Sequence, residues 1–126
     1  MGNISNTGGT TRSGGIVASK SSTYNTLIIN NCVAAMSSIT ADTSRGRIFG
    51  FNSTTNVTMV NNYALSTMLV QGVIVASGIG TTTVQGGNAT LVQLQSKSFY
   101  QNTMGWDMDS IWDIEEGISF PKLRGF

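Results

Sequence analysis

Two stretches of this chain repeat one another, and that self-similarity limits what it can fold into. "GGIVASKSSTYNTLIINNCVAAMSSI" (Gly14–Ile39) lies beside "GRIFGFNSTTNVTMVNNYALSTMLV" (Gly46–Val70). Gly14 matches Gly46 and Ile16 matches Ile48, both 32 positions on. If Tyr24 is skipped as a loop insertion, Asn30-Asn31 match Asn61-Asn62, Cys32 matches Tyr63 and Ile39 matches Val70. A fainter third copy starts at Ser77–Gly80 and runs through Ala89–Gln95, without the double Asn. A period of about 31 residues implies one supersecondary unit per repeat, which buries its apolar side against its neighbours.

The residue types inside the repeats decide between helix and strand. "TLII", "VTMV" and "VIVAS" are β-branched runs of strand length, broken by Gly, Ser, Thr and Asn. Helical repeats need Ala, Leu, Glu, Lys and Arg at 3.6-residue spacing instead. The pattern therefore predicts an all-β fold: a right-handed parallel β-solenoid of about three coils with a C-terminal cap. The predicted division is an N-terminal segment over 1–13, solenoid repeats over 14–98 and the cap over 99–126. Asn30, Asn31, Asn61 and Asn62 are predicted to be structural, standing in the left-handed region at one corner and passing amide hydrogen bonds between units. A carbohydrate- or metal-binding Asn row is the alternative, although no carboxylate accompanies these residues.

Composition fits a strand-rich chain with little charge. Of 126 residues, 10% are charged and 40% are hydrophobic, against roughly 25% charged in an average domain. The seven Lys and Arg are scattered and the net charge is +1, so no phosphate-tracking surface is expected and nucleic acid is not an expected partner. No apolar run is long enough for a membrane-spanning helix, and the N-terminal stretch shows no signal-peptide pattern. Cys32, the single cysteine, reads as a small hydrophobe. Four sequons, at Asn3, Asn52, Asn56 and Asn88, are explained by the abundance of Asn, Ser and Thr.

The repeats "GGIVAS…NNCVA" and "GRIFGF…NNYAL" resemble the glycine-rich GLUG-type repeat of bacterial surface and secreted proteins. The tail strengthens the resemblance through Phe99-Tyr100, Gly105-Trp106-Asp107, Ile111-Trp112, Glu116-Gly117 and Phe120-Pro121-Lys122-Leu123. Arg47 and Phe49 depart from the pattern, where small residues are usual. The resemblance implies a surface-exposed β-solenoid segment linked to adhesion, with no catalytic residues to carry over. It places the protein at the cell surface or outside the cell, with host or matrix proteins or glycans as ligands.

"WDMDSIWDIEEG" (Trp106–Gly117) is the one stretch where chemistry is concentrated, because five of the six acidic residues and both tryptophans fall in it. Asp107, Asp109 and Asp113 resemble a calcium loop, but the sharp-turn glycine is missing and Ile111 occupies a ligand position. A carboxylate pair for glycoside cleavage is a further alternative. The preferred reading is a cap, in which Trp106, Met108, Ile111, Trp112, Ile114, Ile118 and Phe120 plug the apolar end and the carboxylates face water. Gly117 and Pro121 then end the segment and prevent further pairing.

With no histidine in the chain, Ser-His-Asp and Cys-His systems are excluded. The expectation is a structural or adhesive module rather than an enzyme, without cofactor or resident metal. The alternative is a carbohydrate-binding or carbohydrate-active module, marked by Tyr24, Phe51, Tyr63 and Tyr100 exposed in a row. The N-terminal end shows no cap, so a longer chain upstream or self-association through that open end is expected.

Overall fold

The β-branched runs do form strands, all of them short. The computed structural model describes residues 2–20, 25–50 and 55–125, which fall into two compact units, Met1–Asn88 and Ala89–Phe126. In chain order the strands are β1 (Asn3–Asn6), β2 (Arg12–Gly14), β3 (Leu27–Asn30), β4 (Val33–Ala34), β5 (Ser38–Ala41), β6 (Ser44–Gly46), β7 (Val57–Val60), β8 (Tyr63–Leu65), β9 (Leu69–Val70), β10 (Val73–Ile74) and β11 (Gly87–Ala89). A one-turn helix α1 (Leu91–Leu94), a π-helix (Phe99–Met104), β12 (Trp112–Asp113) and β13 (Lys122–Leu123) complete the chain.

The first two repeats pair strand by strand in parallel. β2 lies on β6 with Gly14 opposite Gly46, and β3 on β7 with Ile29 opposite Met59. β4 lies on β8 with Val33 opposite Tyr63, and β5 on β9 with Ile39 opposite Val70. The offset is therefore 32 residues at Gly14, 30 through the Asn segment and 31 at Ile39. The register expected at the double Asn was one residue out. Asn61 matches Asn31, while Asn62 stands opposite Cys32. The repeated glycine has a steric basis: a Cβ on Gly14 would lie 2.1 Å from the Val17 carbonyl oxygen, and one on Gly46 2.2 Å from that of Phe49. Only glycine permits both approaches.

The expected right-handed parallel β-solenoid of about three coils is overturned. Among the described residues the strands form five separate small sheets, in orders β1-β5-β9-β10, β11-β8-β4, β12-β13, β2-β6 and β3-β7, none of them closed. Parallel and antiparallel pairings are mixed, since β9–β10 and β12–β13 run antiparallel. The cause lies at Gln71-Gly72, where φ is +52° and +75°. Two successive positive φ values make the tight hairpin turn that sends β10 back along β9. A further antiparallel bridge, Gly80 to Gly86, follows before β11 comes to lie beside β8, so the third copy departs from the course of the first two between Gln71 and Gly86.

In the first unit the core takes Ile29, Ile39, Ile48, Phe49, Met59, Leu65 and Met68, all buried. Along β3 and β7 the pleat turns Ile29 and Met59 inward and leaves Ile28, Thr58 and Val60 outward, the period-2 alternation of a sheet with one covered face. Each fully buried aliphatic side chain contributes roughly 1.5–3 kcal/mol. Arg47 and Phe49, the two departures from the repeat pattern, are both fully buried here.

The second unit has its own core of Leu94, Phe99, Tyr100, Met104 and Met108. Thr90 begins α1 with a reciprocal capping box: its hydroxyl accepts from Gln93 N, and the Gln93 side chain accepts from Thr90 N. The π-helix ends at Gly105, φ +70°, whose N–H donates to Tyr100 O. Among the described residues, no helix is long and apolar enough to cross a membrane.

Candidate functional site

The amide side chains of the double-Asn corner divide into two roles. Asn31 and Asn61 both hold positive φ, +55° and +56°, and Asn61 Nδ2 donates to Asn31 Oδ1 at 2.9 Å. Asn62 is fully buried. Its Nδ2 donates to Ile29 O at 2.6 Å, and its Oδ1 accepts from Cys32 N at 3.0 Å. Asn30 is exposed, and its carbonyl oxygen accepts from Cys32 Sγ. Burial raises the Cys32 thiol pKa above its ordinary value, which weakens it as a nucleophile.

The same stitching recurs at two other corners. Ala41 N donates to Gln71 Oε1 at 2.9 Å, and Asp42 N to Thr11 Oγ1 at 2.8 Å. At each place a backbone N–H, Ala41's at the end of β5 and Asp42's just beyond it, takes a side-chain acceptor from about 30 residues away, which meets the requirement that such donors be paired.

Arg47 has no exposed surface, yet its side-chain partners among the described residues are all neutral oxygens. Nε donates to Gln85 O at 2.8 Å, Nη1 to Asn88 Oδ1 at 2.8 Å, and Nη2 to Gly86 O at 3.1 Å. Nη1 also reaches Leu65 O at 3.5 Å. Burial lowers its pKa from the ordinary guanidinium value. The planar fork suits this work because five N–H groups in fixed directions can each meet a carbonyl. Arg47 thereby ties β8 and the segment around Gln85–Asn88 to β6, and its chemistry is consumed in doing so.

In the acidic stretch Asp107, Asp109, Asp113 and Glu116 are engaged one by one. Asp107 Oδ1 accepts from Asp109 N at 3.1 Å and Ser110 N at 2.9 Å, while Oδ2 accepts from Ser110 Oγ. The Ser110 hydroxyl and the two N–H groups, with Arg124 nearby, hold the Asp107 pKa below its ordinary value. Asp109 pairs with Lys97 Nζ at 3.1 Å. Glu116 Oε1 accepts from Lys97 N at 2.8 Å, and Asp113 Oδ1 accepts from Ile114 N at 3.0 Å. Asp107, Asp109 and Asp113 are thus not brought together around one point. Among the described residues no group of three or more His, Cys, Asp or Glu is placed to hold a metal.

The aromatics beside them form a stack. Tyr100 is buried and donates from its hydroxyl to Leu94 O at 2.8 Å. Its ring lies 4.9 Å from that of Trp106, which lies 4.7 Å from Trp112. Both tryptophans are half-buried and Met108 is buried, but Ile111 and Ile118 are exposed, contrary to the apolar side expected for them. Pro121, half-buried, directly precedes β13, so pairing resumes immediately after it. Of the expected row of exposed aromatics, Tyr63 is half-buried and Tyr100 buried. Tyr24 and Phe51, like the sequon residue Asn52, lie outside the described residues.

One surface feature went unread in the sequence. Val92 and Gln93 of α1, with Ser96, Ser98 and the π-helix residues Phe99, Asn102 and Thr103, line an open groove of about 330 Å³. The Thr90-x-x-Gln93 capping signature and Gly105 mark the ends of its walls, and those were the signals available. Comparisons of the chain with protein-family models, with curated proteins and with solved structures find no match.

Proposed function

We propose that this chain is a non-catalytic structural and adhesive module of a bacterial surface or secreted protein. The observation that carries this reading is the engagement of its reactive-looking polar groups in the frame. Arg47, Asn62 and Asp107 each hold backbone atoms of their own unit. A side chain whose hydrogen-bonding capacity is taken up by carbonyls and N–H groups fixes shape and has little left for proton transfer. A frame held by its own polar groups suits presentation of a surface to a ligand. The placement at a bacterial surface rests on the GLUG-type resemblance of the repeats and tail.

The test is attachment under flow. Beads carrying the folded protein, and beads carrying it after denaturation, are passed over surfaces coated with matrix proteins or with neutral glycans. Retention that depends on the folded state supports the proposal. Equal retention of both bead types, or of neither on any surface, overturns it.

A further inference from the structure

We propose that the groove between α1 and the π-helix is a binding site for a neutral saccharide, a mono- or disaccharide unit of a larger glycan. This rests on the adhesive reading above and names its ligand. Two independent observations point to the groove. The first is the π-helix itself, six residues long over Phe99–Met104. Such wide turns are rare and occur disproportionately at functional sites. The second is the lining, which is built without a single charge: two primary amides (Gln93, Asn102), three hydroxyls (Ser96, Ser98, Thr103) and two apolar groups (Val92, Phe99).

That set of groups matches the chemistry of a sugar. A pyranose offers vicinal hydroxyls, each donor and acceptor, around an apolar C–H face. A primary amide presents a donor and an acceptor side by side, which suits a diol. The Gln93 oxygen faces Thr90, accepting from its N at 2.8 Å, so the amide NH₂ is directed away from the cap as a donor. Ser96 Oγ and Ser98 Oγ lie 2.9 Å apart, and the hydrogen bond between them uses one hydroxyl proton and leaves the other to donate. Asn102 is exposed at the groove. Val92, 79% exposed, supplies the apolar platform. The volume sits at the lower end of the roughly 300–1,000 Å³ of small-molecule sites, so the groove accepts one end or one stretch of a glycan. An anionic or cationic ligand would find no counter-charge in the lining and would lose hydration on entry.

A glycan array holding neutral, acidic and basic sugars, with uncharged peptides alongside, selects the ligand class. NMR titration with the best neutral oligosaccharide then maps the site on the whole chain. The expected result is selective binding of neutral glycans, with shifts at Gln93, Ser96, Asn102 and Thr103. Asn102→Ala should weaken affinity about tenfold, the scale of one well-made hydrogen bond, and Val92→Asp should weaken it at least as much. Both positions are exposed, so an unchanged melting temperature separates a lost contact from a lost fold. Preference for charged glycans or peptides, shifts elsewhere on the surface, or unchanged affinity in both variants would overturn the assignment. Folded-state attachment under flow that persists in Asn102→Ala and Val92→Asp leaves the adhesive reading standing and removes only the groove.

Discussion

Asn61 donates its side-chain amide to Asn31 Oδ1 across 2.9 Å, with both residues in the left-handed region at φ of +56° and +55°. Two equivalent corners thus share a conformation that most residues avoid, and they are bonded to each other through it. Asn reaches that region at low cost, and a β-branched residue does not. Asn61→Gly should therefore stay within about 1 kcal/mol of the parent, while Asn61→Val should lose about 1–3 kcal/mol to backbone strain. Urea unfolding of the two variants measures the difference. Equal stabilities would show that the corner is not conformationally demanding.

Arg47 gives the sharper contrast, because burial leaves its charge no solvent and its partners are neutral oxygens. Arg47→Lys keeps the charge but replaces a planar fork with a point donor, so two or more oxygens are left unpaired. The expected loss is about 2–4 kcal/mol, read as a lower urea midpoint at constant slope. Arg47→Met removes the charge as well and orphans the carbonyls of Gln85 and Gly86. Parental stability in Arg47→Met would mean those carbonyls find other donors and the fork is dispensable.

These two positions also show where the sequence was legible and where it was not. The glycine register was readable because Gly14 and Gly46 are excluded from bearing a Cβ by the same close approach, which leaves a glycine at the same place in both units. The Asn register was not, because the loops joining the apolar pair to the next strand differ by two residues, while the residue letters suggested one. Parallel neighbours were expected between the first two repeats and are present, but a continuing stack was not dictated by them. The reversal is set by positive φ at Gln71 and Gly72 together; Gly72 is a turn residue, but glutamine at the first turn position carries no such signal. Arg47 looked like a defect in the repeat because an arginine in a small-residue position is anomalous until its carbonyl partners, about 40 residues on, are in view. The groove was silent because a π-helix has no hydrophobic period of its own to detect.

The acidic stretch yields a prediction about pH. Asp107 accepts from Ser110 Oγ and from the N–H groups of Ser110 and Asp109, and its pKa is held below the ordinary 3.8. A carboxylate depressed in the folded state adds stability above its unfolded pKa and loses that contribution as pH falls through the folded value. The turn should therefore be insensitive to pH from neutrality down to about 4 and should loosen below that. Carbon-detected NMR of the Asp107 carboxyl gives its titration directly, and Trp106 and Trp112 fluorescence reports the stack. A midpoint at or above 3.8 would contradict the assignment, as would a calcium-induced rise in melting temperature.

The central claim is that side-chain amides, the buried Asn62 above all, and the Arg47 guanidinium, rather than a continuous strand ladder alone, hold successive repeats in register. Amide hydrogen exchange tests it most directly at Cys32, whose N–H is held by Asn62 Oδ1 at 3.0 Å, 30 positions along the chain. In the parent, Cys32 N–H should exchange as slowly as the ladder-bonded N–H of Ile29 in β3. In Asn62→Ala it should lose protection, while Ile29 and Thr58, whose N–H groups lie in the β3–β7 ladder, keep more of theirs. Rapid exchange at Cys32 in the parent, or unchanged protection in Asn62→Ala, would contradict the claim.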